Sequence, residues 1–283
     1  MSIRPPSANA SPPEALFAVG AVSQYLGAAI AVGLFDDIEP AGVAWLRVLG
    51  AALIVVGFRR PWKRQWSLRQ LAWSGAFGVA LAGMNLFFYL AIDELPLGTA
   101  VAIEFLGPVA VAGFGSRTKR AILALALAVG GVALLAEVQP DGSATGVTFA
   151  LLAGAAWAGY IVLGHRVARS GLAVDGLGVA LAIGLVVISP VGIGHLRPAF
   201  GSPTLLLLAL ATGLLSNAIP YGIDQIVLKR LDQYRFALLQ AMLPVSATVI
   251  GFVALDQTPQ WAEVGGILLV VTALLVRGRS STR

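Results

Sequence analysis

Polar side chains set inside apolar stretches are the residues of this sequence that could do chemistry. Glu104 stands in "AVAIEFLGPVAV", residues 100–111, where every other residue except Pro108 is apolar or glycine. An ionised carboxylate surrounded by hydrocarbon costs at least about 3 kcal/mol, so a glutamate there is a candidate for carrying a proton or binding a cation. The structural alternative is a glutamate bonded to a neighbouring helix, and we favour the functional interpretation.

Gly107 and Pro108 follow Glu104 within one turn, and Pro244 stands in a second apolar stretch. A proline inside a helix removes one backbone hydrogen bond and clashes with the preceding turn. Membrane helices accept this where neighbours or a cavity satisfy the freed carbonyl. These three residues are therefore predicted helix breaks beside a binding site, with ordinary kinks as the alternative.

Further polar residues recur at helical spacing on several apolar stretches. Residues three, four or seven apart share a helix face, which groups Asn85 with Tyr89, Trp157 with Tyr160, and Asn217 with Tyr221 and Asp224. Polar faces on several helices cannot all contact lipid, so the sequence predicts a shared polar interior. We place the following residues on a substrate or proton pathway, with interhelical hydrogen bonding as the alternative for each: Gln24, Arg47, Asn85, Tyr89, Glu104, Tyr160, Asn217, Tyr221, Asp224 and Gln240.

Two charged members of this set have a specific structural alternative. Asp224 lies close to Lys229 and Arg230 and could pair with them at the membrane rim. Arg47 lies about two turns into its stretch and could snorkel outward to the acidic residues at 36–39, which is its slightly favoured interpretation.

The composition is that of a polytopic membrane protein. Of 283 residues, 58% are hydrophobic and 12% charged, against about 25% charged in a soluble domain, and mean hydropathy is +0.85. Without cysteine, and with His165 and His195 far apart, we expect no metal site, no cofactor and no catalytic residue.

Ten apolar runs are long enough, or nearly so, to be spanning helices. They lie at 15–34, 41–58, 71–92, 97–114, 121–136, 146–163, 177–193, 205–228, 236–255 and 261–276.

Loop charge supports all ten spans and sets the orientation. With the N-terminus inside, all but two of the 19 Lys and Arg residues fall on the inner side, the exceptions being Arg47 and Arg197. The predicted outer loops carry acidic residues instead: Asp36, Asp37, Glu39, Asp93, Glu94, Glu137, Asp141, Asp256 and Glu263. This is the positive-inside pattern, and it explains the basic balance without invoking nucleic acid. We predict a cytoplasmic N-terminal arm at 1–14, which is not a cleavable signal, and a cytoplasmic tail at 278–283.

Five spans in each half require a duplicated half to insert upside down. A shift of 136 residues superposes Pro108 on Pro244 and Glu104 on Gln240, with outer acidic residues meeting inner basic ones. Paired interruptions of this kind mark the central site of many transporters. The sequence thus predicts an all-α membrane protein with two inverted five-helix repeats, 15–137 and 146–277.

The stretches "GMNLFFYLAI", "PLGTAVAIEFLGPVAV", "AWAGYIVLGHR" and "NAIPYGID" resemble the EamA-type transporters of the drug/metabolite transporter superfamily, and within it the threonine/homoserine exporters. The resemblance runs over essentially the whole chain. It implies ten helices around a central cavity and export of small amino acids or related metabolites. It also places Arg47, Glu104 and Asp224 on charged positions of the family's second, fourth and eighth spans.

The chain departs from that family in two places, which leaves the substrate open. Relatives commonly carry Glu before the ninth-span proline, whereas this chain has Leu243, and they tend to have Gly-Glu where it has Asp256-Gln257.

The predicted function is that of a secondary transporter in the inner membrane. We expect it to be coupled to protons and to work by alternating access. No phosphate-binding loop for ATP is present. The alternatives are an intramembrane lipid-modifying enzyme, a receptor or scaffold, and a transporter of another metabolite class. Expected partners are a small solute, protons and the lipid bilayer, with a homodimer left open.

Overall fold

The helices of the computed structural model follow the apolar runs of the sequence. The structure describes residues 12–113, 118–137, 144–230, 239–240 and 242–278, and every regular element within them is helical. The helices are α1 (Pro13–Val32), α2 (Pro40–Arg59), α3 (Leu68–Glu94), α4 (Leu97–Glu104), α5 (Leu106–Gly113), α6 (Lys119–Glu137), α7 (Ala144–Arg169), α8 (Ala173–Gly192), α9 (Arg197–Gly201), α10 (Pro203–Gly213), α11 (Ile219–Arg230), α12 (Met242–Leu255) and α13 (Trp261–Gly278).

Local sequence signals fix where several helices begin. Pro13, Pro40 and Pro203 are the first residues of α1, α2 and α10, where a missing N–H costs nothing because the first turn has no acceptor for it. The N-terminus of α3 is closed by a capping box in which the Gln70 N–H donates to Ser67 Oγ and the Ser67 N–H donates to Gln70 Oε1. Such a box satisfies two N–H groups that a helix start leaves free.

The described chain is an integral membrane protein by the length and hydropathy of its helices. Six stretches can cross a bilayer: Pro13–Val32, Pro40–Lys63, Leu68–Glu94, Ala144–Arg169, Ala173–His195 and Pro203–Leu228. Four shorter apolar helices lie at Leu97–Val111, Ile122–Leu135, Met242–Leu255 and Trp261–Ala273. These ten segments fall on the ten predicted runs, and the first six have spanning length.

The eighth predicted run, 205–228, is not a single α-helix. A five-residue π-helical turn, Leu214–Ala218, separates α10 from α11. A π turn holds more residues than an α turn, so the helical spacing used to group the polar residues of this run changes at 214–218.

The helices pack so that α3 lies between α7 and α8, while α2 contacts both α8 and α10. Helix α1 packs on α11 and α12, α4 and α5 pack on α7, and α6 packs on α13. Residues of α1, α2, α3, α4, α7 and α11 line one central space.

Candidate functional site

The fourth predicted run breaks immediately after Glu104. Helix α4 ends at Glu104, Phe105 separates the two segments, and α5 begins at Leu106. The interruption comes just before the predicted break residues Gly107 and Pro108, which lie in the first turn of α5. The reason is that Pro108 has no N–H to donate to the carbonyl four residues before it, which belongs to Glu104.

Helix α7 packs directly against this break. A Cβ added at Gly154 would lie 2.6 Å from the Glu104 carbonyl oxygen, and one added at Gly107 would collide with the Gly154 carbonyl oxygen. Two glycines thus let the backbones touch where the ladder is interrupted, and this contact fixes Glu104 at the centre of the bundle.

A second freed carbonyl lies in the π turn. Pro220 stands four residues after Ser216, so the Ser216 carbonyl also lacks its α-helical donor. Arg47 Nη2 donates to that carbonyl at 3.1 Å. The same turn is tied to α1, because Ser216 Oγ donates to the Gln24 carbonyl and Ser23 Oγ donates to the Leu215 carbonyl, each at 2.7 Å.

Arg47 points into the bundle and not toward the outer acidic loop. Its residue exposure is 2%, Nε donates to Asn217 Oδ1 at 2.7 Å, and its guanidinium carbon lies 4.7 Å from the Tyr89 ring centroid. The snorkelling interpretation of Arg47 was therefore wrong, and Glu39 instead meets His195 Nδ1 at 2.8 Å. Nη1 of Arg47 is buried and has no hydrogen-bond partner within the described residues.

A central cavity collects most of the predicted pathway residues. Its walls include Gln24, Arg47, Asn85, Glu104, Tyr160, Tyr221, Asp224 and Gln240, together with apolar residues such as Phe17, Phe88, Trp157 and Leu243. Its volume is about 30 Å³, which holds one or two water molecules. In this conformation the cavity is too narrow for an amino acid.

Two hydrogen bonds join helices at the cavity wall, one between α3 and α11 and the other between α7 and α11. Asn85 Nδ2 donates to Tyr221 Oη at 3.3 Å, and the Tyr160 hydroxyl donates to Asp224 Oδ2 at 3.2 Å. The Tyr160 and Tyr221 rings lie 5.3 Å apart between centroids. By contrast, Glu104 is 5% exposed, and no hydrogen bond of its carboxylate to another described residue is present.

Asn217 and Tyr89 do not line the cavity. Helical spacing predicts that Asn217 shares a face with Tyr221 and Asp224, but Asn217 lies in the π turn at 214–218, where α-helical spacing does not apply. Both residues instead form the layer behind the cavity that holds Arg47.

The predicted interruption at Pro244 is only partly visible. Pro244 is buried in the first turn of α12 as described, whereas residues 231–238 and 241 lie outside the described residues. A break in the second half therefore stays a prediction, as does the pairing of Asp224 with Lys229 and Arg230.

Sequence reasoning missed three polar residues that tie helices together. Glu263, counted among the outer-loop acidic residues, is 5% exposed, and it accepts hydrogen bonds from the Thr99 hydroxyl at 2.9 Å and the Gln260 N–H at 2.8 Å. Gln257 Oε1 accepts from the Leu97 N–H at 3.0 Å. The third is Ser216. Its sequence signal is Pro220 four residues later, which has no N–H to donate to the Ser216 carbonyl.

Known proteins resemble the chain at both the sequence and the fold level. The profile of the EamA-like transporter family matches residues 144–277. The threonine/homoserine exporter RhtA of Escherichia coli (strain K12) is 37% identical over 260 residues, covering 90% of this chain and 86% of the relative. The protein of the same name from Salmonella typhimurium (strain LT2) is 36% identical over 251 residues, covering 87% and 84%.

One solved crystal structure shares the fold, with a TM-score of 0.64 over 96% of this chain and all of its own, at 21% identity. Together with the two exporters, these matches confirm the resemblance that the motifs indicated. The chain belongs to the EamA-like transporter family and is a membrane transporter, not an enzyme.

Proposed function

We propose that the protein is a secondary exporter of small neutral amino acids of the threonine or homoserine type, driven by protons. The observation that carries the proposal is that Glu104 and Arg47 both line one central cavity. The relatives named threonine/homoserine exporters, which cover most of the chain, indicate the substrate class. The cavity supplies groups that such a substrate needs.

An amino acid carries a carboxylate and an ammonium group on one carbon. Arg47 offers the unpaired Nη1 as a donor for the carboxylate, since arginine forms strong charge-assisted bonds with carboxylates. Glu104 offers an acceptor for the ammonium and lines the same cavity as Arg47. The Tyr221 hydroxyl and the Asn85 amide nearby suit a side-chain hydroxyl.

The same two charges support proton coupling. An exporter that exchanges an amino acid for a proton needs a mid-membrane group that binds either cation in turn. Glu104 has no competing hydrogen bond among the described residues and lies on the cavity wall. Asp224, already bonded to Tyr160, is the reserve candidate closer to the basic end of the bundle, where Arg59, Arg64 and Arg166 lie.

The small volume of the cavity and its position support alternating access. Its α1 walls are Phe17 to Gln24 and its α11 walls are Pro220 to Asp224, which are the parts of these helices nearer the basic end. Toward the outer end, the hydrogen bonds from Arg47 to Asn217 and from Thr99 to Glu263 hold the helices together. A substrate of amino-acid size therefore requires the helices to move apart first at the basic end.

The packing supports two inverted repeats of five spans. Helix α2 crosses α10 with Gly50 and Gly213 in contact, and α3 crosses α8 with Gly78 and Gly184 in contact. These two crossings correspond at nearly the offset of the sequence repeat. We propose ten spanning helices with both termini cytoplasmic in the inner membrane, and the homodimer remains a prediction.

Transport into proteoliposomes under an imposed pH gradient tests the function. A panel of radiolabelled amino acids should show accumulation of threonine or homoserine, and counterflow should be seen without the gradient. If neither flux exceeds that of empty liposomes for any amino acid, the substrate class is wrong.

Single cysteines introduced into this cysteine-free chain test the orientation. Arg64→Cys should be protected from an impermeant thiol reagent added outside cells, and Asp141→Cys should be labelled. Labelling of both cysteines from the same side of the membrane would contradict the ten-span topology.

A further inference from the structure

A basic cleft, separate from the central cavity, lies where α3 begins and α7 ends. Its volume is about 810 Å³. The side chains of interest on its walls are Arg69, Trp73, His165, Arg166, Arg169 and Ser170. Its described lining includes no carboxylate, so the cleft concentrates positive charge in a space that is large enough for a headgroup-sized anion.

The arginines of the cleft lack the carboxylate partner that two nearby arginines have. Arg59 and Arg64 both bind Asp175, at 2.8 and 2.9 Å. In the part of the chain that the structure describes, Arg69, Arg166 and Arg169 form no ion pair. Like charges gathered around one space repel each other, and a bound anion would relieve that repulsion.

Helix dipoles do not account for the cluster. Arg166 and Arg169 lie in the last turn of α7, where the partial negative charge of the helix end favours cations. Arg69, however, is the second residue of α3, at the end where the dipole disfavours a cation. The positive-inside pattern accounts for its side of the membrane, and a shared anionic ligand would account for its place beside the other two arginines on one cleft.

Part of the cleft is held in position before any ligand binds. The Arg166 guanidinium carbon lies 4.6 Å from the Trp73 ring centroid, a cation–π contact that fixes both side chains. His165 Nδ1 is buried with no hydrogen-bond partner among the described residues. The cleft thus presents a fixed guanidinium beside a polar ring atom that is unsatisfied.

Two side chains beside the cleft favour a position at the level of the membrane surface. Leu68, next to Arg69, is 86% exposed, which suits a side chain that contacts lipid at a helix end. Trp73 is the residue type enriched where the bilayer meets water. At this level the headgroup of a lipid in the adjoining leaflet reaches the cleft directly.

We propose that this cleft binds the phosphate headgroup of an anionic phospholipid in the leaflet at the basic end of the bundle. Basic pockets between spanning helices on the cytoplasmic side recognise such headgroups. Arginine binds phosphate oxygens through paired N–H donors, and free inorganic phosphate has the same chemistry. The proposal does not depend on what the central cavity transports.

Native mass spectrometry of the full chain tests the site, with phosphatidylglycerol and phosphatidylcholine at equal concentration in the micelles. The wild-type protein should retain phosphatidylglycerol. The double variant Arg69→Gln, Arg169→Gln changes two exposed side chains and should lower the affinity for phosphatidylglycerol roughly 30-fold. The matched control is Arg60→Gln with Lys63→Gln, which removes the same charge from the same end but outside the cleft.

Retention of phosphatidylglycerol by the control and its loss from the cleft variant support the proposal. Equal loss in both variants would mean that general surface charge holds the lipid, and no loss in either would remove the site. A second arm adds millimolar inorganic phosphate to the lipid-loaded protein. If phosphate displaces phosphatidylglycerol and raises Tm as much as the lipid does, the cleft is a free-anion site and the lipid assignment is overturned.

Discussion

Two proline-interrupted places in the bundle satisfy a freed carbonyl in different ways. In the first half, Pro108 frees the Glu104 carbonyl, and the backbone of α7 at Gly154 packs against it. No side chain of α7 intervenes, so the crossing is held by close contact. It has no room for adjustment.

In the second half, Pro220 frees the Ser216 carbonyl inside a π turn, and Arg47 Nη2 from α2 donates to it. The contact is made by a long side chain that also bonds Asn217. Such bonds can break and re-form as helices move, whereas a glycine contact cannot be stretched without opening a void. The comparison separates a fixed crossing, which holds Glu104, from an adjustable one, which holds Arg47 over the cavity.

Gly107→Ala should have the largest effect on folding. The added Cβ would collide with the Gly154 carbonyl oxygen, and a backbone atom cannot rotate away, so we expect destabilisation of about 3 kcal/mol. Thermal unfolding of the purified protein measures it. Gly222→Ala is the matched control because nothing lies within 4 Å of its added Cβ. Equal stability of the two variants would show that the crossing is not tight.

Arg47→Gln should lower stability and transport together. Loss of the guanidinium leaves the Ser216 carbonyl and Asn217 Oδ1 buried without a donor, which we expect to cost about 3 kcal/mol. Arg47→Lys keeps the charge but cannot reach both acceptors with one ammonium group. We therefore expect the lysine variant to fold better than the glutamine variant and still fail to transport. Full transport by the lysine variant would show that a positive charge alone suffices and that the two-acceptor contact is dispensable.

Asn85→Leu and Tyr221→Leu should have smaller effects on stability than on transport. Their mutual hydrogen bond is an interhelical bond, worth about 0.6 kcal/mol in a membrane, while loss of a substrate contact of about 1.4 kcal/mol lowers apparent affinity tenfold. Transport assays normalised to membrane abundance measure both. Thr148→Val serves as control, since its hydroxyl bonds only within its own helix. Equal loss of folded protein in both cavity variants would favour a packing role.

Much of the fold could be predicted because hydropathy and loop charge are local signals. The ten apolar segments of the structure fall on the predicted runs. Eight of the ten predicted pathway residues also line one cavity, since polar side chains in apolar helices have few other places to go. What those residues do in transport remains a prediction.

The remaining features depend on contacts between residues far apart in the sequence. Arg47 has acidic neighbours eight to eleven residues earlier, yet it bonds to Asn217 and Ser216. Helical spacing groups Asn217 with Tyr221, but Asn217 lies in a π turn and accepts a hydrogen bond from Arg47. Glu263 was assigned to an outer loop, whereas it is buried and accepts a hydrogen bond from Thr99. Neither periodicity nor charge counting reports which helix lies opposite such a residue.

Gradient-driven transport by Glu104→Gln tests the central claim most directly. Glutamine is nearly isosteric and uncharged, so the variant should fold and lose the group that exchanges a proton for the substrate ammonium. The control is Glu263→Gln, which changes a second buried acid that lies outside the cavity. In inverted vesicles with an imposed pH gradient, we predict no accumulation of threonine by the Glu104 variant and near wild-type accumulation by the control, with some downhill exchange retained in both. Accumulation by Glu104→Gln at the wild-type rate would contradict the account and leave Glu104 with a structural role.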